Sequence, residues 1–311
     1  MLPVVAVLGA SGFVGSAVVA ELARSPVRVR AVSRSAGFAL SGIDVRQVDL
    51  SEPGSVATAV EGADIVLHLA AHISGEQSWR SATDLSQRLG VGVIRELVEH
   101  DRPPGVVIFA STLQASCAHR IHAGYVRQKL DAEEMLLRSH EKAFSLRLPT
   151  VYGRSPVSGS TGRGVISAMA GKAAAGERLT MWHDGSVARD LVHVTDVARA
   201  FAVALTCADT LAGRSWAIGT GRPERLGGVF STIAAITAAR SGEPPVPVVS
   251  VAPPDYADSG DFHSCAPDCS AFPAVTGWRP RIALADGLRE VVATRLGAPP
   301  EPGKAPPDQG R

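Results

Sequence analysis

Gly9, Gly12 and Gly15 stand directly behind the apolar run Pro3 to Leu8, and apolar character returns from Ala17 to Leu22. The order is strand, glycine turn, helix. The first glycine permits the sharp turn and the second lets a phosphate approach bare backbone. The third lets the helix lie close on its strand, so that the helix N-terminus faces an anion. A dinucleotide suits such a turn, although a tight turn that holds nothing can be spelled the same way, and the spacing here is G-x-x-G-x-x-G rather than G-x-G-x-x-G.

Downstream, Val27 to Val32, Val45 to Val48, Asp64 to Ala71 and Val106 to Ala110 read as further strands, with helical patterns between them. That alternation implies right-handed crossovers and a parallel sheet covered on both faces, with ligands at the carboxyl ends of the strands. A helical run, Asp131 to Ser139, feeds the strand Phe144 to Leu148, which Pro149 stops. Residues 154 to 164 are rich in Ser, Gly and Pro and read as a mobile loop. Leu191 to Leu205 reads as strand then helix, Trp216 to Ile218 as a short strand, and Val229 to Arg240 as a helix of a smaller lobe. The expected fold is α/β, a doubly wound parallel sheet from residues 1–153 plus about 187–219, with a substrate lobe from about 154–186 plus 220–296. Residues 297–311 have little to bury and read as a disordered tail.

With 311 residues, 45% of them hydrophobic, the chain can bury a full core. A formal net charge of +1 and the lack of a dense basic run favour neither nucleic acid nor an anionic membrane as partner. No apolar stretch approaches the length of a membrane span, and Met1 to Leu8 reads as a strand rather than an export signal, so a cytoplasmic protein is expected. Cys117, Cys207, Cys265 and Cys269 form no C-x-x-C pair and have no His-rich partners; each is expected as a buried reduced thiol, and no metal site is expected.

Tyr125 and Lys129 stand four apart in a helical run and point from one face. A nearby ammonium favours the phenolate, and a phenol tuned in this way can give a proton to a developing alkoxide or take one from an alcohol. Thr112, just past the fifth strand, can hold a carbonyl oxygen beside Tyr125 or merely satisfy a turn; its neighbour Ser111 must then face the other way. The tip of the second strand reads Val32-Ser33-Arg34-Ser35, with no acid to accept ribose hydroxyls and a guanidinium able to pair with a phosphate, which favours NADPH; a solvated Arg34 is the plainer alternative. His68 is expected packed in the sheet and His72 facing the cleft, with His119 and His122 solvated. Nothing places Asp184 and Asp190 together as a hydrolytic pair.

Together these residues resemble the extended short-chain dehydrogenase/reductases, the NAD-dependent epimerase/dehydratase family, over about residues 3 to 295. The resemblance extends to Asp49-Leu50, Leu69-Ala70-Ala71-His72, Arg147-Leu-Pro149-Thr150-Val-Tyr-Gly153, Arg189-Asp-Leu-Val-His-Val-Thr-Asp196 and Gly277-Trp-Arg-Pro280. It implies a Rossmann-type fold and a homodimer. Thr112 would orient the carbonyl, Tyr125 would act as acid or base, and Lys129 would lower its pKa and hold the nicotinamide ribose. Cofactor contacts would come from Gly9, Ser11, Gly12, Phe13, Val14, Gly15, Ser33, Arg34, Asp49, Leu50, Leu69, Ala70, Ala71, Lys129, Pro149 and Thr150. His72, Leu113 and Arg189 would meet a nucleotide-sugar substrate, Arg189 at its diphosphate.

Two departures stand out: Gly90 occupies the helix position where the family often carries an Asn, and the gap from Thr112 to Tyr125 is short for a sugar-nucleotide member. Members that eliminate water carry an Asp-Glu pair where this chain has Leu113 and Gln114, neither of which can shuttle a proton. Reduction of a ketone or epimerisation at C4 remains, and the chain looks like the bacterial 4-ketoreductases that finish deoxysugars, with dTDP as the expected nucleotide. An NADP-binding sensor or scaffold without turnover is the reading from another class.

Overall fold

The computed structural model describes residues 1–34, 40–72, 83–118, 124–157, 159–162, 164–253, 257 and 259–297. The first half alternates β1 (Val4–Leu8), β2 (Arg28–Ser33), β3 (Asp44–Gln47), β4 (Ile65–His68), β5 (Val106–Thr112) and β6 (Ala143–Leu148) with helices α1 (Phe13–Leu22), α2 (Ser55–Val60), α3 (Asp84–Gln87), α4 (Val93–Val98) and α5 (Gly124–Ser139). Next come β7 (Thr150–Tyr152), α6 (Val165–Ala174), β8 (Leu179–Trp182), β9 (Ala188–Arg189), β10 (Leu191–His193), α7 (Val194–Thr206) and α8 (Ala208–Leu211). The chain closes with β11 (Ser215–Ala217), β12 (Glu224–Arg225), α9 (Leu226–Ser241), β13 (Val248–Val251), α10 (Ser259–Phe262), α11 (Ala271–Thr276) and α12 (Leu284–Arg295).

Seven strands form one sheet in the order β11-β6-β5-β4-β1-β2-β3, every neighbouring pair parallel. The chain runs outward one way from β1 and the other way from β4, so the crevice beyond their carboxyl ends is the switch point of a Rossmann-type sheet, where ligands bind. Alternation along β1 explains its unbroken apolar run: Val5 and Val7 bury against one core with Val18, Leu22 and Phe201, while Ala6 and Leu8 bury against another with Ile94, Leu97 and Phe109. A third core, of Ile166, Leu179, Phe230, Ile233, Leu288 and Val292, joins α6, α9 and α12 to the β8–β13 pair.

Two expectations are corrected, and one reading is joined up: the helical run of Tyr125 and Lys129 and that of Asp131 to Ser139 are one helix, which begins at Gly124. The stretch after Gly153 is pinned over its described residues: Ser155 is fully buried with its hydroxyl 2.6 Å from that of Ser16, and Thr161 pairs with Ser167 at 2.7 Å. Small polar residues suit a loop, but they also suit hydroxyl pairs under a helix. Finally, Cys117 and Cys265 are not free thiols; they form a disulfide across 148 residues, leaving Cys207 partly exposed and Cys269 buried as the free pair among the described residues. Pairing between residues so distant in sequence leaves no local signal. None of the described helices is long and apolar enough to cross a membrane. His119 and His122 lie outside the described residues.

Candidate active site

The glycine turn is tight enough to explain its spelling. Gly9 has φ +85°, and a Cβ there would stand 2.7 Å from the Ala70 backbone; at Gly15 it would stand 2.1 Å from the Gly9 carbonyl oxygen. Packing demands both glycines, and the first brings the end of β1 against the segment after β4, so that Leu69, Ala70 and Ala71 border the same crevice. Gly12 is exposed and packs less tightly, its nearest neighbour at 3.2 Å being the Gly9 carbonyl oxygen. Helix α1 starts there with neither a side-chain cap nor an acid in its first turn, so its amides are left for an anion, with Ser11, Phe13 and Val14 around them. Uncapped amides at α1 and a bare-backbone turn are the features that the diphosphate of a nicotinamide dinucleotide needs.

Arg34 is exposed at the tip of β2, and its charge contributes to holding the Asp49 carboxyl below the usual range, after the hydrogen bonds from Ser51. Ser51 donates to Asp49 through both its amide and its hydroxyl, at 2.9 and 2.7 Å. Ser33 and Leu50 are buried behind them, and Pro149 is buried beside the partly exposed Thr150.

The Lys129 Nζ donates to the Ala110 carbonyl at 2.7 Å and lies 4.5 Å from the centroid of Phe109 and 5.7 Å from that of Tyr125. Burial lowers the Lys129 pKa to about 8, against the pull of Glu133 one turn on. Burial raises the Tyr125 phenol to about 12, which reverses the expectation that the ammonium sets its pKa. Burial thus keeps the phenol protonated. Thr112 ends β5, partly exposed, its hydroxyl accepting from the Gln114 amide at 3.4 Å, while Ser111 is buried on the other side of the strand.

Tyr125 and Lys129 line a cavity of about 10 Å³ with Ala70, Ala71 and His72. Gly90, the departure at the family's Asn position, lines it too, as do two residues the chemistry had not singled out, Ser86 and Gln128. Gly90 sits in a π-helical turn, Arg88–Gly92, with open space where a Cβ would stand, and Gln128 accepts from the Ser86 hydroxyl at 2.9 Å. The one available signal was position, since Gln128 directly precedes Lys129. His68 is fully buried, its ring 5.4 Å from Phe109; burial, then the Lys129 charge, pushes its pKa down to about 3, so it stays neutral.

Behind Lys129, Glu133 takes paired hydrogen bonds from Arg147, at 2.5 to 3.2 Å, and one from Ser215 at 2.9 Å. Burial raises the Glu133 pKa, but hydrogen bonds from Arg147 and Ser111, the Arg147 charge and the Ser215 hydroxyl outweigh it and hold the carboxyl below its usual range. On β9, Arg189 donates to the carbonyls of His263 and Ala188 at 2.9 and 3.0 Å, and lies 3.4 Å from that of Asp261. Leu113 is buried, while Asp190 is committed to the Thr220–Gly221 turn and Asp184 to Ser186.

A family model described as the NAD dependent epimerase/dehydratase family matches residues 5–219. The chain is 32% identical to a dTDP-4-dehydro-6-deoxy-D-allose reductase of Streptomyces bikiniensis, across 63% of this chain and 70% of that one. Among solved structures, an epimerase of Methanothermobacter thermautotrophicus has the same fold at 19% identity, with a TM-score of 0.79 over 94% of this chain and 92% of that one. A UDP-glucose 4-epimerase of Thermus thermophilus, solved with NAD, is 25% identical, with a TM-score of 0.75 over 96% of this chain and all (100%) of that one. The chain belongs to the NAD dependent epimerase/dehydratase family. Its fold is that of the family's Rossmann-type members, and its oxidoreductase character and nucleotide-sugar theme follow from the relatives it matches.

Proposed function

We propose that this chain reduces the C4 ketone of an NDP-4-keto-6-deoxyhexose, with dTDP as the nucleotide and NADPH as the reductant. The observation that carries the reading is the meeting of Tyr125 and Lys129 in one small cavity beside β5, whose last residue is Thr112. The resemblance to a dTDP-keto-sugar reductase supports it. Reduced nicotinamide, when bound, supplies the hydride. Thr112 holds the ketone oxygen, and Tyr125 gives that oxygen its proton, a task suited to a phenol that burial keeps protonated up to about pH 12. Lys129 favours the phenolate that is left and takes the nicotinamide ribose. Asp49 meets the adenosine and Arg34 the extra phosphate of NADPH. Leu113 and Gln114, in place of acids, leave no group for elimination of water.

Incubation with C4-deuterated NADPH and dTDP-4-keto-6-deoxyglucose tests this. Deuterium at C4 of a reduced dTDP-sugar, with a loss of about a hundredfold or more in turnover for Tyr125→Phe, is expected. Label at C3, or cofactor that is never consumed, would defeat it. The epimerase structures among the neighbours favour a second reading, C4 epimerisation with recycled NAD; interconversion of UDP-hexoses without net NADPH oxidation would select it. A sensor without turnover would bind NADPH and oxidise none.

A further inference from the structure

The disulfide sits at a place the chemistry uses. Cys117 closes the short 3-10 turn Leu113–Cys117 that follows Thr112. Cys265 lies two residues beyond His263, in the smaller-lobe segment whose carbonyls Arg189 grips. The crosslink therefore ties the segment after the catalytic-strand hydroxyl to the segment held by the cation assigned to the sugar's diphosphate. It does so over a small apolar cluster, in which Ala115, Val126 and Cys265 are buried and Tyr125 packs against them.

We infer that the Cys117–Cys265 pair is a redox-controlled clamp on the substrate mouth, which sets the affinity for the nucleotide sugar while leaving the proton and hydride steps to Tyr125, Thr112 and the cofactor. The inference rests on the proposed reading of Arg189 and Thr112. In the closed state the two segments are already ordered relative to each other, and the substrate does not meet that ordering cost on binding. Reduction opens the clamp: the disulfide takes two electrons and two protons from a dithiol, which leaves as its own disulfide, and two cysteine thiols remain. Cys117 is the partly exposed partner and the sulfur a reductant reaches, while Cys265 is 4% exposed. The open state is also accommodated, because Cys265 Sγ lies 3.4 Å from the Leu113 carbonyl oxygen, which can accept from the thiol once the bond is cut.

The full-length protein is to be compared after equilibration with oxidised and with reduced dithiothreitol, counting thiols in denaturant and titrating dTDP by calorimetry in each state. Expected are the two thiols of Cys207 and Cys269 in the oxidised protein and all four after reduction. Reduction should weaken dTDP about threefold to tenfold, and in the ketone assay KM should rise by the same factor with kcat nearly unchanged. Cys117→Ser should behave as the reduced form in both buffers, whereas Cys207→Ser should keep the full response. Four reactive thiols after oxidation, or equal dTDP affinity in the two states, would overturn the clamp; the wild-type comparison alone decides this if Cys117→Ser fails to fold. Failure of keto-sugar reduction in both states would refute the proposed reaction, and the dTDP titration would still decide the clamp.

Discussion

The ammonium of Lys129 donates to the main-chain carbonyl of Ala110 at 2.7 Å, so the cation beside Tyr125 is positioned by the strand that ends in Thr112. This contact ties helix α5 to β5 beside the core packing of Ala132 and Leu136 on Val107 and Phe109. It does so with a cation that burial has weakened to a pKa of about 8. Lys129 is charged below that pH and loses its charge as pH rises through it, while Tyr125, near 12, stays protonated throughout. For ketone reduction, kcat/KM should be flat toward acid and fall through a single limb centred near pH 8. A pH profile of initial rates checks this; a plateau reaching about pH 10, the ordinary lysine range, would contradict it.

Glu133 holds Arg147 and Ser215 together under the same helix, with its side chain only 4% exposed. Glu133→Ala leaves the Arg147 guanidinium unpaired in a mostly buried site, and breaking a buried pair in this way costs about 3 to 5 kcal/mol. Chemical denaturation should show a loss of that order, with the midpoint shifted and the slope unchanged. Because Glu133 also favours the charged form of Lys129, the alkaline limb should move to lower pH in the variant. An unaltered midpoint would mean that Arg147 finds another partner.

The parts of this molecule legible from sequence are those whose causes are local. Gly9 and Gly15 are glycines because neighbouring backbone leaves no room for a Cβ, and Val5, Ala6, Val7 and Leu8 are all apolar because both faces of β1 are covered. Tyr125 and Lys129 announce themselves by helical spacing. What stayed hidden depends on long-range meetings. The Cys117–Cys265 bond and the Glu133–Arg147–Ser215 cluster join residues with no periodic relation. The short strands β8 and β13 pair across a gap of many residues and carry no alternation long enough to read. Gln128 looked like an ordinary helix residue until Ser86 and the bare Gly90 gave it a cavity to face.

The glycine turn gives a sharper test of cofactor binding than any charged residue does. At Gly15 a methyl group would stand 2.1 Å from the Gly9 carbonyl oxygen, a backbone atom that cannot swing aside. Gly15→Ala should push α1 away from its strand, lowering stability by about 1 to 3 kcal/mol, as overpacking does, and weakening dinucleotide binding at least about tenfold. Gly90→Ala, where a Cβ meets nothing within 4 Å, is the matched control and should fold with wild-type stability. Thermal melts with and without NADPH check both. A Gly15→Ala protein with an unchanged cofactor-induced shift would show that the diphosphate does not rely on this turn.

In the proposed reading, cofactor choice turns on Arg34. It stands exposed at the end of β2, where an acid would accept ribose hydroxyls, and its charge reaches Asp49 on the neighbouring connection. A guanidinium at that tip pairs with the phosphate that distinguishes NADPH from NADH, and a charge-assisted pair is worth about 1.5 to 3 kcal/mol. Exposure reduces the gain, so a preference for NADPH of about tenfold is expected, carried by the phosphate alone. Arg34→Ala should therefore weaken NADPH by about that factor and leave NADH unchanged, collapsing the two affinities onto one value. Rising ionic strength should shrink the wild-type preference in the same direction, because an exposed pair is screened. Fluorescence titrations of both cofactors at low and high salt read all three effects. Equal affinities in the wild type, or a preference that survives Arg34→Ala, would place cofactor selection elsewhere in the crevice.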